Sequence, residues 1–250
     1  MTTTPSKTFW VPALILSIGL IIAAALMAFS FKYLNRNTGA ITVKGLAEKP
    51  IQADSALWEI NLQTSSASET KKDAYVLLDQ QMKVLRQFFL DQGFSAQDFK
   101  MGNKSSESYY EEVDIGDGRL MRQFKGYIAN QKLAVSSRDI AKIEKAAKAI
   151  YILDEQNISI NESPNYLVSN LEDIKMSLIA NATKNAFSRA NEFAKVGEVK
   201  VGAMRSASQG AFYILPDNGS DENSDYGGAY DKTTINKIAR VVVTINYSID

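Results

Sequence analysis

The side chains best spaced for chemistry are four acids near position 110. Glu107, Glu111, Glu112 and Asp114 surround Tyr109 and Tyr110. Such carboxylates could hold a hard cation or work as an acid–base pair, although a solvated hairpin face is the plainer expectation. The 250-residue chain has no His and no Cys. That removes the commonest general base, thiol nucleophiles, disulfides and the usual zinc ligands. Ser206 and Ser208 have no base to activate them. Gly197 and Gly202 are spaced like the glycines of a phosphate loop, but no Lys-Ser/Thr follows the second. Asp217, Asn218, Asp221 and Asn223 offer oxygen ligands without the spacing of a calcium loop. Lys142, Lys145 and Lys148 read as the solvated face of a helix, with weak attraction to anionic lipid as the alternative. No cofactor, no metal set and no catalytic residues are expected. With 28 basic and 28 acidic residues, the chain also lacks the excess of positive charge that nucleic-acid binding requires.

The clearest feature lies at the start. Phe9 to Phe31 is a run of 23 residues without a charge. As a helix it would cover roughly 35 Å, enough to cross the ~30 Å hydrocarbon layer. The anchor residues are Phe9, Trp10, Leu14, Ile15, Leu20, Ile22, Leu26, Phe29, Phe31 and Tyr33, with Trp10 and Tyr33 standing where interfacial aromatic rings belong. A cleaved signal peptide is the rival. Ala23 and Ala25 make a passable cleavage site, but the run continues past them. The expectation is a short cytoplasmic tail over 1–8, an uncleaved anchor over 9–31 and a tether over 32–40. Lys7 precedes the span while Lys32 and Arg36 follow it, so charge bias alone does not set orientation.

Beyond the tether, the residues that could do chemistry must be placed by strands and helices. Ile41–Leu46 and Ala56–Thr64 read as strands, with Pro50 in their connection. In the second, Ala56, Trp58, Ile60 and Leu62 alternate with polar neighbours. A helix over Glu69–Gln92 has a capping-box pattern at Thr70 and Asp73, a stripe of Tyr75, Leu78, Met82, Leu85 and Phe89, and Gly93 as its stop. A long hairpin, Phe99–Val113 and Leu120–Ser136, turns through Asp114–Gly118. Helix Asp139–Ile150 and a strand over Ile158–Tyr166 follow. Helix Leu171–Val196 has Ala182, Ala186, Ala190 and Ala194 on one side, and strands Val199–Gln209 and Lys237–Ile249 complete the chain. Between the last two, 215–232 is expected to be a flexible acidic loop. The fold class is α+β: an N-terminal transmembrane helix, then antiparallel sheet with about three packed helices over 41–250.

These elements carry a family resemblance. Ile41-Thr42-Val43-Lys44-Gly45 followed by Ala53-Asp54, the stretch Gly126 to Val135, the helix Ala182 to Gly197 and the closing Val241 to Tyr247 are together similar to the SIMPL-domain family of YggE-like bacterial envelope proteins. The resemblance implies a domain in the periplasm or another extracytoplasmic space, carried on the bacterial inner membrane. It also implies ring-like or channel-like homo-oligomers, a link to oxidative-stress tolerance and no catalytic residues.

The expected function is therefore a membrane-anchored, self-associating envelope scaffold or binding module, with no nucleic-acid partner and no identified small-molecule ligand. A carboxylate- or metal-dependent envelope enzyme using Glu111 and Glu112 is the alternative. A sensory ectodomain is the second, disfavoured because so little chain precedes the span.

Overall fold

The computed structural model describes residues 10–35, 39–114, 116, 118–217 and 228–249. Among them the chain runs α1 (Trp10–Asn35), β1 (Ala40–Gln52), β2 (Ser55–Ser66), α2 (Lys71–Asp91), β3 (Phe99–Asp114), β4 (Leu120–Ser137), α3 (Ile140–Ala149), β5 (Asn165–Leu167), α4 (Leu171–Val196), β6 (Val201–Pro216) and β7 (Asn236–Ile249). Short 3-10 helices lie at Ala96–Asp98 and Ile150–Gln156. The strands form two sheets, ordered β1-β7-β6 and β3-β4-β2-β5. This is the expected α+β class, with three helices beyond the N-terminal one. Two compact units result, one drawn from Met1–Ala47, Ser177–Gly210 and Val241–Asp250, the other from Glu48–Met176 and Ala211–Arg240.

In the second unit β2 pairs antiparallel with β4, from Ala56 opposite Ser137 to Ser66 opposite Tyr127. Alternation turns Trp58, Ile60 and Leu62 inward, and their neighbours Leu133 and Val135 on β4 face the same core. The stripe of α2 closes over them: Leu78, Met82, Leu85 and Phe89 are all buried, and α3 adds Ile143 and Ala146. Each large side chain so buried stabilises the unit by about 1.5–3 kcal/mol. The Trp58 ring meets Phe89 edge-to-face at 5.5 Å, and its indole N–H donates to the Glu162 carbonyl at 2.8 Å. The polar handle of this large apolar residue is thereby satisfied.

The hairpin outruns this core. β2 has no residue opposite β4 beyond Tyr127, so Leu120–Gly126 pairs with β3 alone. A bulge lies at the exit, because Gly126 faces Tyr109 whereas Phe124 faces Tyr110. Gly126 has φ +133°, and a Cβ there would stand 1.9 Å from the Ser66 carbonyl oxygen. Only glycine fits this backbone.

In the first unit α4 lies against β1. Ala182, Ala186 and Ala190 are fully buried, and small residues at this spacing let the two backbones approach. The approach is closest at Gly45, where a Cβ would lie 2.0 Å from the Ala182 carbonyl oxygen and 2.8 Å from the Ala186 Cβ. Two polar side chains of α4 fasten the same place. The Leu46 N–H donates to Asn185 Oδ1 at 3.1 Å, and Arg189 Nη1 donates to the Lys44 carbonyl at 3.0 Å. The backbone groups of Lys44 and Leu46 face away from β7, so these bonds occupy the free edge of an edge strand. Ile249 donates to Gly39 and Asn246 to Thr42, which sets β1 and β7 antiparallel. In the other unit Glu48 meets Arg240 and Gln52 meets Asn236 in the same antiparallel sense.

Several boundaries differ from expectation for physical reasons. Pro50 sits inside β1 rather than in a connection. It falls on the outward-facing parity of an edge strand, where no N–H is needed. The strand expected over Ile158–Tyr166 shrinks to Asn165–Leu167. Ile158 is instead the apolar residue that follows a helix cap: Asn157 adopts the left-handed conformation, and Ile158 N–H donates to the Leu153 carbonyl. At the start of α2 the Thr70 hydroxyl bonds to the Asp73 carboxylate and makes no bond to the helix backbone. The acidic loop falls mostly on 218–227, outside the described residues, as do Phe9 and 36–38 of the expected tether; its first residues, 32–35, instead continue α1, and Ala40 already belongs to β1. At the loop's margins, Leu215 and Pro216 end β6, and Asp231 N–H donates to the Ile214 carbonyl.

The two close approaches give a direct test. Gly45→Ala is expected to cost about 3 kcal/mol and Gly126→Ala a similar amount, since each pushes a methyl into a backbone carbonyl. Urea unfolding of the detergent-solubilised protein, followed by circular dichroism, measures both. A loss below about 0.5 kcal/mol, the ordinary range for a surface change, would show that α4 and β1 are not this close.

Candidate functional site

The four acids near 110 do not converge. They lie on β3, where alternation puts Glu107 and Glu111 on one face and Glu112 and Asp114 on the other. Each set finds local partners. Glu111 accepts from the Tyr109 hydroxyl at 3.0 Å and stands 3.8 Å from the Lys125 ammonium. Asp114 accepts the Gly116 N–H in the turn, and Arg122 stacks over Tyr110. Among the described residues no three Asp or Glu side chains gather as a metal would need.

The anchor residues Trp10, Leu14, Ile15, Leu20, Ile22, Leu26, Phe29 and Phe31 all lie on α1, and all are exposed. Tyr33 is in the same helix, its side chain outside the described set. Trp10–Lys32 is long and apolar enough to cross a membrane, and none of it is buried.

The most unusual polar group is one the sequence reading passed over. Lys237 is fully buried, which is rare for lysine unless it is paired. The signal was present, because the inward positions of β7 are the odd ones: Ala239, Val241, Val243, Ile245, Tyr247 and, by the same count, Lys237. Its ammonium donates to the Asp231 carbonyl at 2.7 Å and to Asp231 Oδ2 at 3.1 Å. The turn Asp231-Lys232-Thr233-Thr234 wraps the rest of the carboxylate. Oδ1 accepts from the Thr233 N–H at 2.8 Å and the Thr233 hydroxyl at 2.7 Å, and Oδ2 accepts from the Thr234 hydroxyl. Burial pushes the Asp231 pKa up, but the bonds from Thr234, Thr233 and Lys237 outweigh it and hold the carboxyl far below the usual range.

A second carboxylate ties the neighbouring strand ends. Asp54, of the Ala53-Asp54 motif, accepts from the Ser169 N–H and hydroxyl, the latter at 2.7 Å. Its own N–H donates to the Leu167 carbonyl, and Ala53 N–H donates to Ile235. Burial raises the Asp54 pKa, while the Ser169 bonds lower it to a net value below normal. Val168 N–H reaches the Tyr230 hydroxyl, and Tyr166 N–H the Lys232 carbonyl. Beside these staples an open polar cleft of about 410 Å³ is lined by Glu144, Tyr166, Asp217, Thr233, Thr234, Ile235 and Asn236. Burial and the charge of Glu144 raise the Tyr166 phenol pKa, so it stays protonated.

What the geometry defines is an α+β domain behind an exposed apolar helix, whose motif residues Gly45, Asp54, Gly126 and Arg189 each hold backbone in place. Comparison with known families agrees: residues 41–246 match the model of the SIMPL family, described as a protein of unknown function (DUF541), and the chain belongs to that family. No curated protein matches it. Among solved structures, an uncharacterised conserved protein from Listeria innocua matches at 9% identity over 78% of this chain and 91% of that one, with a TM-score of 0.21. So low a score carries no argument about fold.

The buried pair is testable. Lys237→Met leaves a carboxylate without its cation and is expected to cost about 3–5 kcal/mol in urea unfolding, while Lys237→Met combined with Asp231→Leu recovers part of that loss. Folding lowers the Asp231 pKa, so its contribution is complete above the unfolded value near 3.8 and is lost as pH falls below it. Wild type should therefore lose stability progressively below about pH 4, and the double variant should lose less. Equal acid sensitivity in the two would remove Asp231 from the account.

Proposed function

We propose that this protein is a membrane-anchored, self-associating envelope scaffold or binding module, with the SIMPL domain on the extracytoplasmic side of the bacterial inner membrane. The observation that carries the reading is α1: a 23-residue apolar span, Trp10–Lys32, with nothing packed over it. Lipid is the natural cover for such a surface. Self-association is supported by two sheet edges. β3 ends one sheet and β6 the other, and the side chains of both are mostly exposed; residues 229–231 pair with β6 at Ile214, which leaves the earlier part of β6 as its open edge. Unpaired strand edges template pairing with another copy. The outer ribbon adds exposed Leu120, Met121, Phe124 and Tyr110.

A scaffold rather than an enzyme is supported by where the acids fall. Glu111 and Glu112, on opposite faces of β3, cannot act on one substrate as a pair. The extracytoplasmic location, and a link to envelope or oxidative-stress tolerance, rest on the family.

Light scattering on the full-length protein in detergent tests the assembly. A mass several times 27.6 kDa is expected, falling when Leu120, Met121 and Phe124 are changed to Glu. A strict monomer at every micromolar concentration would end the proposal. Location is read separately, by protease added to cells with a permeabilised outer layer: the domain should be cut, and a protected domain would place it in the cytoplasm.

A further inference from the structure

The connection between α1 and β1 is short. Only 36–39 separate Asn35 from Ala40, and a chain that length reaches at most about 18 Å. Whatever lies at the Gly39 end of the first unit is therefore held close to the surface that α1 enters. Hydrogen bonds identify that end. Ile249 N–H donates to the Gly39 carbonyl, and the Ser248 hydroxyl donates to the Ala203 carbonyl, so Gly39, Ile249 and Ala203 end the sheet together. β6 begins at Val201, directly after the 197–200 turn that follows α4.

Helix α4 points the same way. Passing down β1 from Leu46 to Lys44, its contacts move up α4 from Asn185 to Arg189, so α4 runs towards the Gly39 end and stops there at Val196. This tip exposes apolar side chains that a water-facing helix end does not need. Val196 is 85% exposed and Phe193 63%, and Met204 on β6 is 48% exposed. Lys195 and Lys200 stand among them, with stems long enough to reach outward from apolar surroundings. Glu192 and Glu198 balance the two lysines, which leaves the apolar groups as the attractive element.

We propose that the α4–β6 tip, through Phe193, Val196 and Met204, inserts into the interfacial layer of the bilayer that α1 spans. The tip is a second membrane contact and fixes how the first unit stands on the lipid. The assignment rests on α1 being a transmembrane anchor, and it holds whichever side of the membrane carries the domain.

The native chain has no Cys, so single-Cys variants report one position each. Full-length Val196→Cys, Asn181→Cys and Leu20→Cys, each carrying an environment-sensitive fluorophore, are placed in phosphatidylcholine nanodiscs with nitroxide-bearing lipids. Leu20, read with a nitroxide deep in the acyl chain, reports the anchor, and Asn181, exposed near the middle of α4, reports water. A shallow nitroxide should extinguish most of the Val196 signal and leave Asn181 bright. The label at Lys200→Cys, quenched in the native background, should recover when Phe193→Asp and Val196→Asp are added. A bright Val196 beside a quenched Leu20 overturns the tip contact and leaves the anchor standing. An unquenched Leu20 overturns the anchor, and the tip contact with it. A Val196 label shielded from aqueous iodide yet untouched by lipid nitroxide assigns the tip to a second copy of the chain and likewise overturns the proposal.

Discussion

Between the α-carbon of Gly45 and the carbonyl of Ala182 there is no room for a methyl group. Interiors pack at near-crystalline density, and here the packing partner is backbone, which cannot turn aside as a side chain can. The fixed separation makes the neighbouring features possible. Ala186 and Ala190 must be small, Asn185 and Arg189 come within reach of the edge of β1, and the sheet that β1 shares with β7 acquires a helix on its buried face. A larger residue at 45 would lift α4 and strand two hydrogen bonds at once.

The polar interior of the second unit follows a different logic. Lys237 occupies an inward position on β7 that its neighbours fill with Ala239 and Val241. An ammonium there is tolerable because the turn at 231–234 brings a carboxylate and a carbonyl to it. That same turn satisfies the carboxylate with hydroxyl and amide donors. A buried ion pair of this kind contributes little net stability against an apolar substitute. What it does impose is register, since Asp231 meets Lys237 only when β7 starts at the right residue. Asp54 serves the same end for β5, through Ser169.

Much of this architecture is written in periodicity. The alanines of α4, closed by Gly197, mark the buried side of the helix and its end, and the alternation in β2 and β7 predicts which side chains are buried. Periodicity misleads where two signals look alike. Ile158 and Ile160 alternate as a strand would, yet they follow a left-handed Asn157 and pack against the core as a helix cap. Pro50 reads as a breaker until one knows that β1 is an edge and which parity faces outward. The acids near 110 are adjacent in sequence but divided by the pleat. Lys237 does not stand out in the sequence, because a lone lysine at a strand start looks like a solvated end and its partner Asp231 lies within a stretch whose composition suggests no order.

The hairpin beyond Tyr127 has a dynamic consequence. Two strands without a third neighbour are barely stable in water, and the described side chains of Leu120–Lys125 are all exposed. Beyond the β3–β4 ladder itself, the stack of Tyr110, Phe124 and Tyr127, with ring centroids 5.6 Å and 5.3 Å apart, restrains its opening. Local opening there costs far less free energy than unfolding the core. Amide deuteration at Glu111–Val113 and Met121–Gln123 would thus outrun that of β2 by orders of magnitude, and insertions at the tip would be tolerated with the core intact.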